Sequence, residues 1–292
     1  MRFRFFMKLL IPVIIESLKL DSNLPVLLYK SKDSLITIKL CDFTKDEKED
    51  FFDVKYTRNA NKISFQHVGI TYRSNGHLNS KYIRESDFKI VVEENGLETD
   101  TQNEKIYEIL DFAFKIISGN GFDFMQFIPN SKDDSFSGIK TFATRFLSRR
   151  KLTFDKDSLK RIKKLIRILF ESEKEEVKNL NFFLDAAMRF QPLNISGAFF
   201  VTILENIFVG EMTELSYRLS MRLAKKRKEG QEYVEKIKKL YKKRSKIFHG
   251  KSYAFTLEDV NFLETEACYA IEEFLIEPES FEIVNLDKNL LA

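Results

Sequence analysis

An arginine and a histidine stand five positions apart in the stretch "YKKRSKIFHGK", Tyr241 to Lys251, of a chain that has only three histidines. An arginine presents a planar fork of donors that matches phosphate oxygens, and a histidine titrating near neutral pH can move protons. Together, Arg244 and His249 suit the attack of a ribose 2′-hydroxyl on its own phosphodiester. The imidazole would transfer protons and the guanidinium would stabilise the phosphoryl charge. This chemistry needs RNA, because DNA lacks the internal nucleophile, and it needs no metal.

The same spacing has a plain structural alternative, in which a capping histidine lies beside a surface arginine. On an ideal helix, Arg244 and His249 lie roughly 140° apart, so they do not share one stripe. They can converge on one cleft if His249 lies in the last turn of the helix. Gly250 suits the left-handed residue that ends a helix there. The spacing alone leaves both interpretations open.

Positive charge is concentrated around this pair. Residues 218–251 contain 14 Lys or Arg and 3 Glu, an excess of 14 − 3 = +11, whereas residues 252–292 contain 10 acidic residues and one lysine. Such a block is expected of a surface that meets phosphates, although a solvated helix face gives the same pattern. The candidate RNA-binding residues are Lys238, Lys239, Lys242, Lys243, Lys246 and Lys251.

The basic stretch predicts a helix that starts near Gln231 and has one apolar face. Tyr241 could stack on a base, but core packing is the more frequent role of a tyrosine at apolar helical spacing. We expect the apolar residues Val234, Ile237, Leu240, Tyr241, Ile247 and Phe248 to face the protein interior. We expect the lysines 236, 238, 239, 242, 243 and 246 to face water.

Up to about residue 100, short β-rich segments are separated by turn-forming clusters. The segments "PVLLYKS", "SLITIKLCDF", "FFDVKYT" and "KISFQHVGITY" predict a small antiparallel sheet or sandwich. The opening "MRFRFFMKLLIPVIIESL" resembles a signal peptide, but Lys8 and Glu16 bracket an apolar run too short to span a bilayer. We expect a buried strand there. The polar stretch Glu93 to Glu104 predicts a domain boundary.

Helical periodicity begins after that boundary. The stretch from Asn103 to Ile117 predicts one helix, and the next begins near residue 156 with Asp155, Asp157 or Ser158 as its cap. Residues 118–138 suggest a loop or a strand pair. Five further helices are expected to form an antiparallel bundle. The predicted fold class is α+β, with a β-rich N-terminal domain over residues 1–103 and an all-α domain over residues 104–292.

Other functional classes have no support in the sequence. Cys41 and Cys268 show no disulfide or zinc spacing, which favours a reducing, cytoplasmic location. No nucleotide-binding, Rossmann or zinc-protease motif occurs, so no metal or other cofactor is expected. His67 and His77 are expected to be ordinary sheet and turn residues. Glu205 lies in an apolar helix, where a buried carboxylate needs a partner, and we expect a salt bridge to Arg218 or Arg222.

The stretch "LYKKRSKIFHG" resembles the signature of the HEPN superfamily, in which an arginine, a polar residue and a histidine close the penultimate helix. Arg244, Ser245 and His249 match these three positions. The preceding "AAMRF", "TILENIF" and "GEMTELSYRLSMRLA" are similar to the ApeA-like branch. The resemblance covers residues 179–277 and implies a HEPN-like helical domain.

The resemblance implies a homodimer that brings two arginine-histidine pairs into one cleft and cleaves RNA without metal. Family members serve as toxins or abortive-infection effectors, so the implied partners are RNA, a second copy and, as an open point, a cognate antitoxin or regulatory protein, but no membrane. Ser245 would support the site by hydrogen bonding. Some members use a nearby acidic residue, for which Glu214 is the candidate. Lys251 replaces the tyrosine that is adenylylated in one toxin branch, which puts that regulation in doubt. The alternative is a non-catalytic scaffold that binds nucleic acid or an acidic protein.

Overall fold

The structure is a computed structural model and describes part of the chain. The described residues are 6–13, 17–19, 24–32, 35–42, 88–95, 100–118, 124–129, 136–142, 153–172, 174–189, 192–209, 214–250 and 254–291. They form β-strands and helices in an α+β arrangement, with most strands before residue 143 and most helices after residue 155.

The described residues contain eight β-strands. They are β1 (Phe6–Val13), β2 (Ser17–Lys19), β3 (Val26–Lys30), β4 (Ile36–Asp42), β5 (Phe88–Asn95), β6 (Phe124–Pro129), β7 (Phe136–Phe142) and β8 (Thr153–Asp155).

Six of these strands form one sheet in the order β3-β4-β5-β1-β6-β7, and every neighbouring pair is antiparallel. Strands β2 and β8 form a separate parallel pair. In the six-stranded sheet, Ile38 lies opposite Val92, and Leu40 lies opposite Ile90. All four side chains are buried. Residues two apart on a strand share a face, so these pairs place the sheet core where β4 meets β5.

Several strand predictions are confirmed. Strand β1 lies in the opening stretch, and β3 and β4 lie in the first two β-rich segments. The segments predicted at 51–57 and 62–72, with His67 and His77, lie outside the described residues. The stretch 118–138, for which the sequence suggests a loop or a strand pair, contains β6 and the start of β7, and these two strands form an antiparallel pair.

The described residues also contain eight α-helices. They are α1 (Asp100–Ser118), α2 (Lys156–Glu171), α3 (Glu175–Arg189), α4 (Leu193–Phe208), α5 (Leu215–Arg227), α6 (Gln231–Phe248), α7 (Leu257–Ile276) and α8 (Ile283–Leu291), with a 3-10 helix at Pro278–Phe281.

The helical periodicity predicted α1 to α7, and the structure confirms each of them. Asp155 caps α2, because its Oδ1 accepts a 2.9 Å hydrogen bond from the backbone N–H of Ser158. The structure adds α8, which the periodicity of the sequence does not predict. Helix α4 packs against α3, α5, α6 and α7. The side chains of Phe200, Ile203 and Leu204 are buried, as expected of a central helix.

The chain divides into two compact units. The first takes in the described residues of 1–111, 122–143 and 151–166, and the second takes in those of 112–121 and 167–292. Helix α1 begins in the first unit and ends in the second. Helices α3 to α8 all lie in the second unit. Among the described residues, no helix is both long enough and apolar enough to cross a bilayer.

Candidate functional site

Helix α6 carries Arg244 and is followed directly by His249, and its ends lie where the sequence predicted them. The helix starts at Gln231 and ends at Phe248, so His249 is the first residue past its last turn. Gly250 follows with φ of 69°, in the left-handed region that glycine adopts without steric cost. The N–H of His249 donates to the carbonyl of Ser245 at 3.1 Å. These contacts confirm the predicted helix end.

The side chain of Arg244 is held by Glu205 of α4. Its Nη2 lies 2.8 Å from Oε2 of Glu205, and the exposed fractions of the two side chains are 23% and 14%. The hydroxyl of Tyr241 donates to the other oxygen of the same carboxylate at 3.4 Å. One carboxylate therefore restrains both the guanidinium and the tyrosine that precedes it by one turn of α6.

This pairing corrects the expected partner of Glu205, for which the sequence favours Arg218 or Arg222. Arg218 lies 3.8 Å from the carboxylate of Glu214, and Arg222 pairs with Asp287 at 2.8 Å. A salt bridge was correctly expected, but its partner was wrong. The packing of α4 against α6 decides the partner, and periodicity within each helix carries no information about it.

Two aromatic rings of α6 flank the guanidinium of Arg244. Its Cζ lies 4.9 Å from the centroid of the Phe248 ring and 5.8 Å from that of Tyr241. Both distances are within the range of cation–π attraction. Burial and the nearby Glu205 carboxylate raise the pKa of Tyr241 above its ordinary value, so its hydroxyl stays protonated at neutral pH. The guanidinium is thus fixed by an ion pair and by ring contacts.

Phe248 departs from its predicted environment. It was expected to face the protein interior, but it is 59% exposed. His249 is also exposed, whereas Ser245 is half-buried. The carbonyl of Ser245, rather than its hydroxyl, makes the contact with His249. The end of α6 therefore presents an aromatic ring and an imidazole on successive residues, and Arg244 lies against the ring.

None of the protein-family models, curated proteins or solved structures compared with this chain matches it.

Glu214, the predicted acidic residue of the site, lies just before α5. Its backbone is left-handed, with φ of 54°, and its carboxylate is exposed and lies against Arg218. The carboxylate in contact with Arg244 belongs to Glu205 instead. The sequence contains a signal for Glu205, since an acidic residue in an apolar helix needs a cationic partner. It does not specify which arginine is that partner.

The lysines of α6 have different environments. Lys243 was expected to face water, but it is only 7% exposed and forms an ion pair with Asp259 of α7. Burial opposes ionisation of Asp259, but hydrogen bonds from Lys243 and Thr256 lower its pKa overall. This lysine joins two helices and is not part of an open cationic surface.

Some other lysines of α6 have the solvent exposure that a phosphate-binding role requires. Lys239, Lys242 and Lys246 are exposed. Lys238 is partly buried and pairs with Glu235 at 2.9 Å, and its Nζ also lies 5.8 Å from the Tyr217 ring. Lys251 lies outside the described residues. We use the name "exposed lysine row" for Lys239, Lys242 and Lys246.

Proposed function

We propose that this chain is a metal-independent endoribonuclease of HEPN type that acts on RNA through Arg244 and His249 at a homodimer interface. The observation that carries the proposal is the exposed imidazole directly past the end of α6, five residues after an arginine that Glu205 holds at 2.8 Å. A fixed guanidinium can stabilise phosphoryl charge and an accessible imidazole can transfer protons, and both effects assist phosphodiester transesterification. We further propose that it acts in the cytoplasm as a toxin or an abortive-infection effector.

In the proposed reaction, the 2′-oxygen of a ribose attacks the adjacent phosphorus as His249 accepts its proton. The bond from phosphorus to the 5′-oxygen breaks, and the leaving oxygen receives a proton from a second imidazole or from water. The products are a 2′,3′-cyclic phosphate and a 5′-hydroxyl. Arg244 has five N–H donors, and the ion pair with Glu205 leaves others to stabilise the charge on the phosphoryl oxygens.

A homodimer whose two-fold axis passes near the end of α6 would bring two such pairs together, since residues near that axis lie opposite their own symmetry mates. The charge of this region supports a phosphate ligand, because residues 218–251 carry an excess of positive charge of 14 − 3 = +11. The exposed lysine row would contact the RNA backbone. Light scattering should therefore give the mass of two chains, and a monomer would contradict the composite site.

The decisive experiment incubates purified protein with total RNA and with transfer RNA in EDTA. Wild type should leave 2′,3′-cyclic phosphate ends, and both His249→Ala and Arg244→Ala should leave the RNA intact. Lys225→Ala, which removes an exposed cation of α5, controls for the loss of one positive charge and should still cleave. Equal cleavage by wild type and His249→Ala would indicate a contaminating nuclease and would contradict the proposal.

The alternative function is a scaffold that binds nucleic acid or an acidic protein without cutting it. One observation favours it, because a guanidinium held by a carboxylate and two rings is also what a purely structural arginine shows. Under this alternative, RNA remains intact with wild type and His249→Ala alike, and both proteins bind it equally.

A further inference from the structure

Phe248 is an exposed aromatic residue at the end of α6, adjacent to both proposed catalytic groups. Its ring centroid is 4.9 Å from the guanidinium carbon of Arg244. His249 is the next residue in the chain, and 59% of Phe248 is open to solvent. The apolar residues of α6 that lie two and three turns earlier, Leu240 and Ile237, are buried, and Tyr241 is half-buried. The apolar side of α6 therefore becomes exposed at Phe248.

Single exposed apolar residues are common and need no explanation. The environment of Phe248 distinguishes it, because its ring is paired with a fixed guanidinium instead of lying against solvent alone. Aromatic rings stack on nucleobases, and this stacking tolerates different bases because every base has a π-face. A guanidinium presents a planar fork of donors that matches phosphate oxygens.

We infer that Phe248 is a base-binding residue that stacks on the base of the nucleotide whose phosphate lies at Arg244. The inference rests on the proposed function for the identity of the ligand. It assigns recognition of the base to Phe248 and recognition of the phosphate of the same nucleotide to Arg244. Purines offer a larger stacking surface than pyrimidines, so the nucleotide at the cut should be a purine more often than a pyrimidine.

The test separates base binding from backbone binding. The probes are a ten-nucleotide adenosine RNA and an abasic ribose-phosphate chain of the same length and charge. Binding is measured by fluorescence anisotropy with the His249→Ala protein, so that no cleavage interferes. We expect the adenosine RNA to bind about tenfold more tightly than the abasic chain.

Three further variants, made in the same His249→Ala protein, locate that difference. Phe248→Leu keeps an apolar side chain but removes the ring, and should reduce the tenfold ratio to nearly one. Phe248→Trp keeps a stacking surface and should restore the ratio. Tyr217→Leu is the matched control, because Tyr217 is also exposed, at 52%, and also lies near a cation, 5.8 Å from Lys238. Its ratio should remain near that of the parent protein.

The possible results distinguish this inference from the ribonuclease proposal. An unchanged ratio in Phe248→Leu would overturn base stacking, as would an equal loss in Tyr217→Leu or an absence of binding to both probes. A shift of Phe248→Leu from dimer to monomer in light scattering, with the ratio unchanged, would instead identify the ring as a contact between copies. A base-dependent ratio without RNA cleavage by wild type would contradict the ribonuclease proposal but support Phe248 as a base-stacking residue.

Discussion

The guanidinium of Arg244 and the carboxylate of Glu205 form a 2.8 Å ion pair that joins α6 to α4. Tyr241 donates to the second oxygen of the same carboxylate, so both oxygens have a partner from α6. A guanidinium has rotational freedom at the end of a long side chain, and a carboxylate with a fixed position removes much of it. The pair is therefore expected to determine where Arg244 presents its remaining donors.

Glu205→Gln should lower the rate of RNA cleavage more than it lowers RNA binding. The amide keeps the shape of the side chain but loses its charge, so Arg244 is held less firmly. Misplacing a catalytic group by about 1 Å can reduce a rate by about 100-fold. We expect kcat to fall about 10- to 100-fold on that basis, with KM nearly unchanged.

A double-mutant cycle with Arg244→Gln checks that the effect passes through the arginine. The two substitutions together should cost little more than Arg244→Gln alone, because the carboxylate acts through its partner. Glu214→Gln provides the comparison, since that carboxylate lies near Arg218 at 3.8 Å. A larger loss of kcat from Glu214→Gln than from Glu205→Gln would indicate that Glu214 is the acidic residue of the site.

Lys243 and its neighbour Lys242 should respond differently to substitution. Lys243→Ala removes one partner of a largely buried ion pair and should reduce the free energy of unfolding by about 2–3 kcal/mol, slightly below the range for fully buried pairs. Lys242→Ala removes an exposed charge and should change it by less than about 0.5 kcal/mol. Urea unfolding followed by circular dichroism measures both.

RNA binding should show the opposite order. Lys239→Ala and Lys242→Ala should each reduce the slope of log affinity against log salt by about one, because each removes one phosphate contact. Lys243→Ala should leave the slope unchanged, provided that the measurement is made where the variant is folded. A reduced slope for Lys243→Ala would mean that its ion pair opens to meet RNA.

Acid should weaken the contact between α6 and α7. Burial opposes ionisation of Asp259, but hydrogen bonds from Lys243 and Thr256 lower its pKa below its ordinary value of 3.8. A carboxyl group with a lowered folded-state pKa stabilises the fold above its unfolded pKa, and that stability is lost as pH falls through the folded value. Stability should therefore decline as pH decreases below about 4.

Asp259→Asn should be less stable at neutral pH and should lose part of this decline, since the amide does not titrate. Lys243→Met removes the cation that pairs with Asp259 and should also reduce the loss of stability at low pH. Thermal unfolding between pH 2 and pH 7 compares the three proteins. If both variants keep the full acid-dependent loss of stability of wild type, the pair of Asp259 and Lys243 is not its cause.

Gly250 should tolerate substitution less well than Gly230 at the other end of α6. A Cβ at either position meets no heavy atom within 4 Å among the described residues, so steric contact does not distinguish them. The backbone does, because φ is 69° at Gly250 and −93° at Gly230. Gly250→Ala should reduce stability by about 1 kcal/mol.

Gly230→Ala should change stability by less than about 0.5 kcal/mol. Alanine lowers the conformational entropy of the unfolded chain, which stabilises the fold and offsets the weaker helix start. Gly250→Asn should lie between the two, since asparagine enters the left-handed region more readily than alanine. Melting temperatures measure all three variants. Equal losses at both glycines would show that the left-handed turn does not end the helix in solution.

Local chemistry explains which features could be predicted from the sequence. The bounds of α6, the left-handed Gly250 and the capping of α2 by Asp155 all depend on residues within a few positions of one another. Side-chain periodicity and backbone preference act over that range, so one sequence carries them. The pairing of β6 with β7 was left open, because short apolar runs do not distinguish strands from loops.

The sequence by itself determined that the chain has strands followed by helices, that α6 is basic, and that Arg244 and His249 stand near its end. Only the tertiary structure decided that Glu205 holds Arg244, that Lys243 is buried against Asp259, and that Phe248 remains exposed. The physical reason is that an ion pair or a burial site between helices depends on how their faces pack. Residues far apart in the chain meet there, and no periodicity within one helix specifies the partner.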